Sequence, residues 1–132
     1  NTEVRNPFLD GYALHYRYKI DEKMLNEAAQ AYVGKHDFTS FCTLDSREKG
    51  DMTRNVKAFS VTRDGDLVTM KVEADGFLYN MVRIMVGTLL RVQQGKIAPD
   101  EIPSIIDKKN RKYAGPTAQA CGLYLNKVNY DF

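Results

Sequence analysis

Apolar side chains at Leu25, Ala28, Ala29 and Tyr32 recur at the i, i+3, i+4, i+7 spacing of one helix face, which predicts a helix over residues 21–33. Asp21 stands where an N-cap carboxylate can accept from the first turn's orphan N–H groups, and Gly34 follows as a stop. In the next segment, Lys35-His36-Asp37-Phe38-Thr39-Ser40-Phe41, the two phenylalanines predict a short loop or helical turn folded back onto the core. Residues 45–54 are polar without periodicity and read as a mobile loop. The period then becomes two. Residues 55–63 and 67–74 flank Asp64-Gly65, a tight-hairpin signature, and Val68, Met70, Val72 and Ala74 alternate onto one face of an antiparallel hairpin.

At Gly76 the period changes back to that of a helix, so strand and helix are expected to join with almost no loop, placing Arg83 about two turns into the helix. Between Phe77 and Leu90 the polar groups are the Tyr79 hydroxyl, Asn80, Arg83 and Thr88, a composition that predicts burial nearly all round. A further helix is expected near residues 100–108, with Ile102, Ile105 and Ile106 as its stripe and Pro103 opening or kinking it. Residues 110–120 read as a loop containing Gly115-Pro116, and the alternation over 122–130 reads as a strand returning to the sheet. The fold class is therefore α+β, a largely antiparallel sheet with helices packed on one face. With 132 residues, 43% of them hydrophobic and 27% charged, and no repeat or linker, residues 1–132 are expected to form a single domain around one core. Nothing reads as a signal peptide or membrane span, which points to a cytoplasmic protein.

Charge changes this picture little: the net +2 permits a nucleic-acid partner only if the cations collect on one face. Cys42 and Cys121 lack partner motifs and read as reduced core thiols, and His15 and His36 have no neighbours that would make either a catalytic base. Neither a glycine-rich phosphate loop nor a metal-ligand cluster is visible. Arg83 is the residue that stands out. A guanidinium cannot escape burial by losing its proton, so it requires an anion, a carboxylate or a phosphate, supplied either by an acid of its own domain such as Asp37, Glu73 or Asp75 or from outside. Asn80, Arg83, Gly87, Arg91 and Gln94 fall on one stripe of the helical wheel. Gly87 costs about 1 kcal/mol relative to alanine in mid-helix, and its presence predicts the close approach of a backbone or ligand. Lys108, Lys109, Arg111 and Lys112 form a basic run that suits either a solvated helix end or phosphate binding; Lys35, Arg47, Lys49 and Arg54 are similarly ambiguous.

Several spaced motifs resemble the C-terminal half of TruA-type tRNA pseudouridine synthases. They are Gly34-x-x-Asp37-Phe38-Thr39-Ser40-Phe41, Arg54-Asn55-Val56, Gly76-Phe77-Leu78-Tyr79-Asn80-Met81-Val82-Arg83 with Val86-Gly87, Asn110-Arg111 with Ala114-Gly115-Pro116-Thr117-Ala118, and Gly122-Leu123-Tyr124-Leu125. The likeness runs from about residue 21 to residue 130, while residues 1–19 match poorly. Family members carry a nucleophilic aspartate in an Arg-Thr-Asp segment and a base-stacking tyrosine in an N-terminal half; no Arg-Thr-Asp occurs in this chain, and Gln119 stands where the family usually has a small residue. The resemblance implies that Arg83 pairs with that aspartate across the two halves, that Leu123 walls the base pocket with Phe77 and Met81 behind it, and that Lys108, Lys109, Arg111 and Lys112 contact RNA. It further implies isomerisation of uridine on the 3′ side of the anticodon stem-loop of tRNA, no cofactor or metal, and partners that comprise tRNA, the N-terminal half and a second subunit of a homodimer. A non-catalytic RNA-binding α+β module is the alternative, and it requires exposed aromatic residues on the sheet.

Overall fold

The computed structural model describes residues 19–43, 51–65, 67–78 and 80–118. Six regular elements follow in order: α1 (Glu22–Ala29), β1 (Gly34–Asp37), β2 (Thr53–Asp64), β3 (Leu67–Ala74), α2 (Met81–Gln93) and α3 (Ile102–Lys108). The strands form an antiparallel sheet in the order β1-β2-β3, so the α+β class is present as expected. The strand expected over 122–130, together with Cys121 and Leu123, lies outside the described residues.

Helix α1 begins as the sequence predicts, with the Asp21 carboxylate accepting from the Met24 N–H at 3.2 Å. Its α-helical part stops at Ala29 and a 3₁₀ turn, Gln30–Tyr32, carries the chain to Gly34, whose φ of +118° suits glycine and redirects it into β1. That strand was not foreseen. Gly34-Lys35-His36-Asp37 has no alternating apolar pattern, and it is a strand because it pairs with residues Thr53 to Val56 of β2. Strand β2 accordingly starts at Thr53, inside the stretch that read as a loop. Past β1, the free edge of β2 is closed by α1: Asn26 accepts from the Val61 N–H at 2.9 Å, and Gln30 donates to the Phe59 carbonyl at 2.8 Å. These two side chains, four residues apart on one helix face, satisfy backbone groups that would otherwise lack partners.

The hairpin at Asp64-Gly65 pairs Phe59 with Val72, Val61 with Met70 and Arg63 with Val68. A register shift between Val56 and Ala58 inserts one extra residue, and this brings Val56 and Phe59, an odd number of residues apart, onto the same buried face. Tyr32 lies at the centre of the core, its ring 5.4 Å from Phe41 and 5.2 Å from Phe59, its hydroxyl donating to the Met85 carbonyl at 3.0 Å. Burial pushes its pKa well above the ordinary tyrosine value. Phe38 and Phe41 do fold back onto the core, the latter in a 3₁₀ turn, Thr39–Phe41. Within that turn buried Ser40 donates to the Ile105 carbonyl at 2.7 Å and accepts from the Asn110 N–H at 2.8 Å, tying down the end of α3. Pro103 sits in the first turn of α3, after a 3₁₀ turn Pro99–Glu101, so it opens the helix and does not kink it. Cys42 is buried. No helix among the described residues is long and apolar enough to cross a membrane.

Candidate functional site

The connection into α2 differs from the sequence expectation. Residues 75–78 and Asn80 are not helical, and the helix starts at Met81 and not at Gly76, so Arg83 lies in its first turn. Two apolar residues, Phe77 and Leu78, imitate a helical pattern there because Leu78 is an anchor into the core, whereas Phe77 is 40% exposed. Asn80 makes the corner. Its φ of +60° is left-handed, a conformation asparagine tolerates better than other residues with a Cβ. The helix is also not buried all round: Met81, Ile84, Met85, Gly87, Thr88, Leu89 and Val92 are buried, but Val82, Arg83, Val86, Leu90 and Arg91 are half-buried, leaving one side open.

Along that side runs the segment 115–118, packed backbone to backbone on α2. A Cβ added to Gly87 would lie 1.6 Å from the Pro116 carbonyl oxygen, and one added to Gly115 would lie 2.7 Å from the Gly87 oxygen. Gly87 is therefore present because another backbone occupies the space of its side chain, as the sequence anticipated. Thr88 adds a polar pin, donating to the Ile84 carbonyl at 2.7 Å and accepting from the Gly115 N–H at 2.9 Å. At the other end, the Ala118 N–H donates to the Arg83 carbonyl at 3.0 Å, and Arg83 Nε donates to the Ala118 carbonyl at 2.7 Å.

Arg83 is thus fixed along one edge. A second bond, from Nη1 to Asn80 Oδ1 at 3.2 Å, holds the plane of the guanidinium, while Asn80 Nδ2 donates to Thr43 Oγ1 at 3.2 Å. The three intradomain acids considered as partners do not reach it. Asp37 accepts from the Thr39 N–H and hydroxyl, Asp75 accepts from the Asn55 N–H at 2.9 Å, and Arg83 has no carboxylate within ion-pair distance among the described residues. Among the described residues Arg63 pairs with Glu22 at 3.1 Å at the far end of the sheet, and a backbone hydrogen bond, together with this pair, holds the Glu22 carboxyl below its ordinary range.

The remaining sequence candidates fall at different depths. Met81 is fully buried beneath the start of α2, its sulfur 3.5 Å from the Leu78 N–H, while Phe77 is on the exposed loop beside it. Lys108 closes α3 and Lys109 follows in a left-handed conformation. Arg111 and Lys112 lie in a 3₁₀ turn, Arg111–Tyr113, capped by Asn110, which accepts from the Lys112 N–H at 3.1 Å. The turn gathers the cations around one ring: Lys108 Nζ is 4.2 Å and Lys112 Nζ 5.0 Å from the centroid of half-exposed Tyr113. Arg111 turns toward the 115–118 segment, a strap lying across α2, and donates through Nη2 to Thr117 Oγ1 at 3.4 Å; burial pulls its pKa below the ordinary guanidinium value.

Two contributions become visible only in the fold. Asn80 orients Arg83, a role signalled only by its position three residues before it. Arg91, on the same helical stripe, lines a depression with Arg111, Tyr113 and the start of the strap.

A model of the tRNA pseudouridine synthase family matches residues 28–131. The relatives include tRNA pseudouridine synthase A of Bacillus pumilus, 45% identical over 132 residues that cover 99% of this chain and 53% of the relative. The proteins of the same name from Bacillus subtilis and Bacillus licheniformis are 45% and 48% identical, each over 120 residues covering 91% of this chain and 48% of the relative. The chain belongs to the tRNA pseudouridine synthase family. It spans about half the length of the relatives it matches.

Proposed function

We propose that the protein carrying this chain converts uridine to pseudouridine in tRNA, on the 3′ side of the anticodon stem-loop, and that this chain supplies a positioning arginine and one pocket wall but not the nucleophile. The observation that carries this reading is Arg83. Its guanidinium is half-buried, held in one plane by Ala118 and Asn80, and lacks a carboxylate among the described residues. With Nε given to Ala118 and Nη1 to Asn80, Nη2 is left for the incoming anion. That anion is the nucleophilic aspartate of the other half, which a fixed guanidinium keeps ionised and aimed. In this reading Leu123, five positions after Ala118 in the sequence, walls the base pocket with Phe77 and Met81 behind it.

Lys108, Lys109, Arg111 and Lys112 bind tRNA phosphates, which explains cations gathered on one turn with no acids paired to them among the described residues. A non-catalytic stacking platform is less well supported: the phenylalanine of the described strands, Phe59, is 3% exposed and faces the core. The test is tritium release from C5-labelled uridine in tRNA. The full-length protein is expected to release it and this chain alone to release none; release by the chain alone would refute the assignment of the nucleophile to the other half.

A further inference from the structure

Helix α2 presents two arginines on one stripe, and the strap separates them. Arg83 meets Ala118 on one side of the Gly87 contact, and Arg91, two turns further on and about 12 Å along the helix axis, lies on the other. At that second position Arg91 and Arg111, from different elements, line one open depression of about 350 Å³ together with Ile97, Tyr113, Ala114, Gly115 and Pro116. Both arginines are half-buried, and neither has a carboxylate within ion-pair distance among the described residues. Arg111 is steadied by Thr117, a neutral hydroxyl that orients the guanidinium without neutralising it.

Two half-buried guanidinium groups that line one depression, with no carboxylate paired to either among the described residues, suit an anion seated between them. From this juxtaposition we infer that Arg91 and Arg111 together seat one phosphodiester of the RNA backbone, at a position distinct from the Arg83 site. A phosphate suits the pair because it offers oxygens to two planar forks at once, and Lys108 and Lys112 around Tyr113 extend the positive surface away from the notch for neighbouring phosphates. Among the other lining residues the Gly115 N–H is already given to Thr88, so the two arginine side chains supply the recognition. This inference rests on the tRNA reading above and adds to it a fixed register: one phosphate pinned two helical turns from Arg83.

The test is a double-mutant cycle on tRNA binding by the full-length protein, with Arg91→Gln, Arg111→Gln and the pair, each measured across a salt series. Because both residues share one phosphate, each single variant should lower the slope of log K against log salt by about 0.7 to 0.9, and the double variant should lower it no further. Arg91→Lys and Arg111→Lys should keep the slope and weaken affinity severalfold, since a lysine keeps the charge and loses the fork. An additive slope loss in the double variant would overturn the shared seat, as would unchanged slopes. A parallel titration with inorganic phosphate, read on the arginine Nε resonances, separates the sources: saturation by free phosphate with no effect of either variant on tRNA binding would overturn the RNA assignment. Lys23→Gln, at an exposed position of α1, serves as the control. If the unaltered protein fails to bind tRNA at all, it is the proposed function that fails.

Discussion

Arg83 and Ala118 are joined twice, the arginine's carbonyl accepting the alanine's N–H at 3.0 Å and its Nε donating to the alanine's carbonyl at 2.7 Å. One residue therefore both fixes the end of the strap and has its guanidinium oriented by it, with Nη1 held by Asn80. In the full-length protein, Arg83→Ala should lower tritium release from tRNA by about 10² to 10³-fold, the range for losing one preorganised charge-stabilising donor. Arg83→Lys should rescue poorly, because an ammonium cannot bond Ala118, Asn80 and a carboxylate in one plane. Binding of tRNA should change much less than turnover. Full activity of the alanine variant would remove Arg83 from the mechanism.

Gly87→Ala tests the strap contact. Helix propensity alone favours the alanine by about 1 kcal/mol, so an open helix face would be stabilised. The Pro116 carbonyl, 1.6 Å from the new Cβ, opposes this, and the net result should be destabilisation by about 1 to 3 kcal/mol in equilibrium urea unfolding. A gain in stability would mean that the strap does not lie on α2 in solution.

Tyr32 gives the core a pH dependence at the alkaline end. Its folded pKa is raised by burial above the unfolded value near 10, so below that pH the folded and unfolded forms both hold the proton. Above it the unfolded chain releases the proton while the folded core keeps it. The Tyr32 contribution to stability therefore falls as pH rises past about 10, by up to about 1.4 kcal/mol per pH unit. Tyr32→Phe should cost about 0.5 to 1.5 kcal/mol near neutrality through the lost bond to Met85, and the gap to the unaltered chain should close on raising the pH. Urea melts of both forms across the alkaline range check this; a constant gap would contradict it.

Lys108, Lys109 and Lys112 changed together to glutamine, with Arg111 kept, should weaken tRNA binding and flatten its salt dependence while leaving turnover of bound tRNA nearly unchanged. Lys108 and Lys112 also stack on Tyr113, so a thermal melt should accompany the binding series. Unchanged affinity and slope would reduce the run to a solvated helix end.

The sequence by itself determined the parts of this protein whose information is local. The α1 stripe, the Asp21 cap, the Asp64-Gly65 hairpin and the meaning of Gly87 follow from spacing and backbone sterics, and the same spacing placed Arg83 and Arg91 on one stripe. Tertiary structure decided what depends on partners distant in the chain. Strand β1 exists through its pairing with β2, and Phe77-Leu78 are loop and not helix because Asn80 turns the chain and Leu78 is drawn into the core. The sequence left open whether Arg83 meets an acid of its own domain. The structure answers that among the described residues, because Asp37 and Asp75 are each engaged by N–H groups beside them while Ala118, 35 residues away, takes the Arg83 Nε. The Arg91 and Arg111 pair is of the same kind, two cations 20 positions apart brought together because two glycines let one backbone lie flat on another.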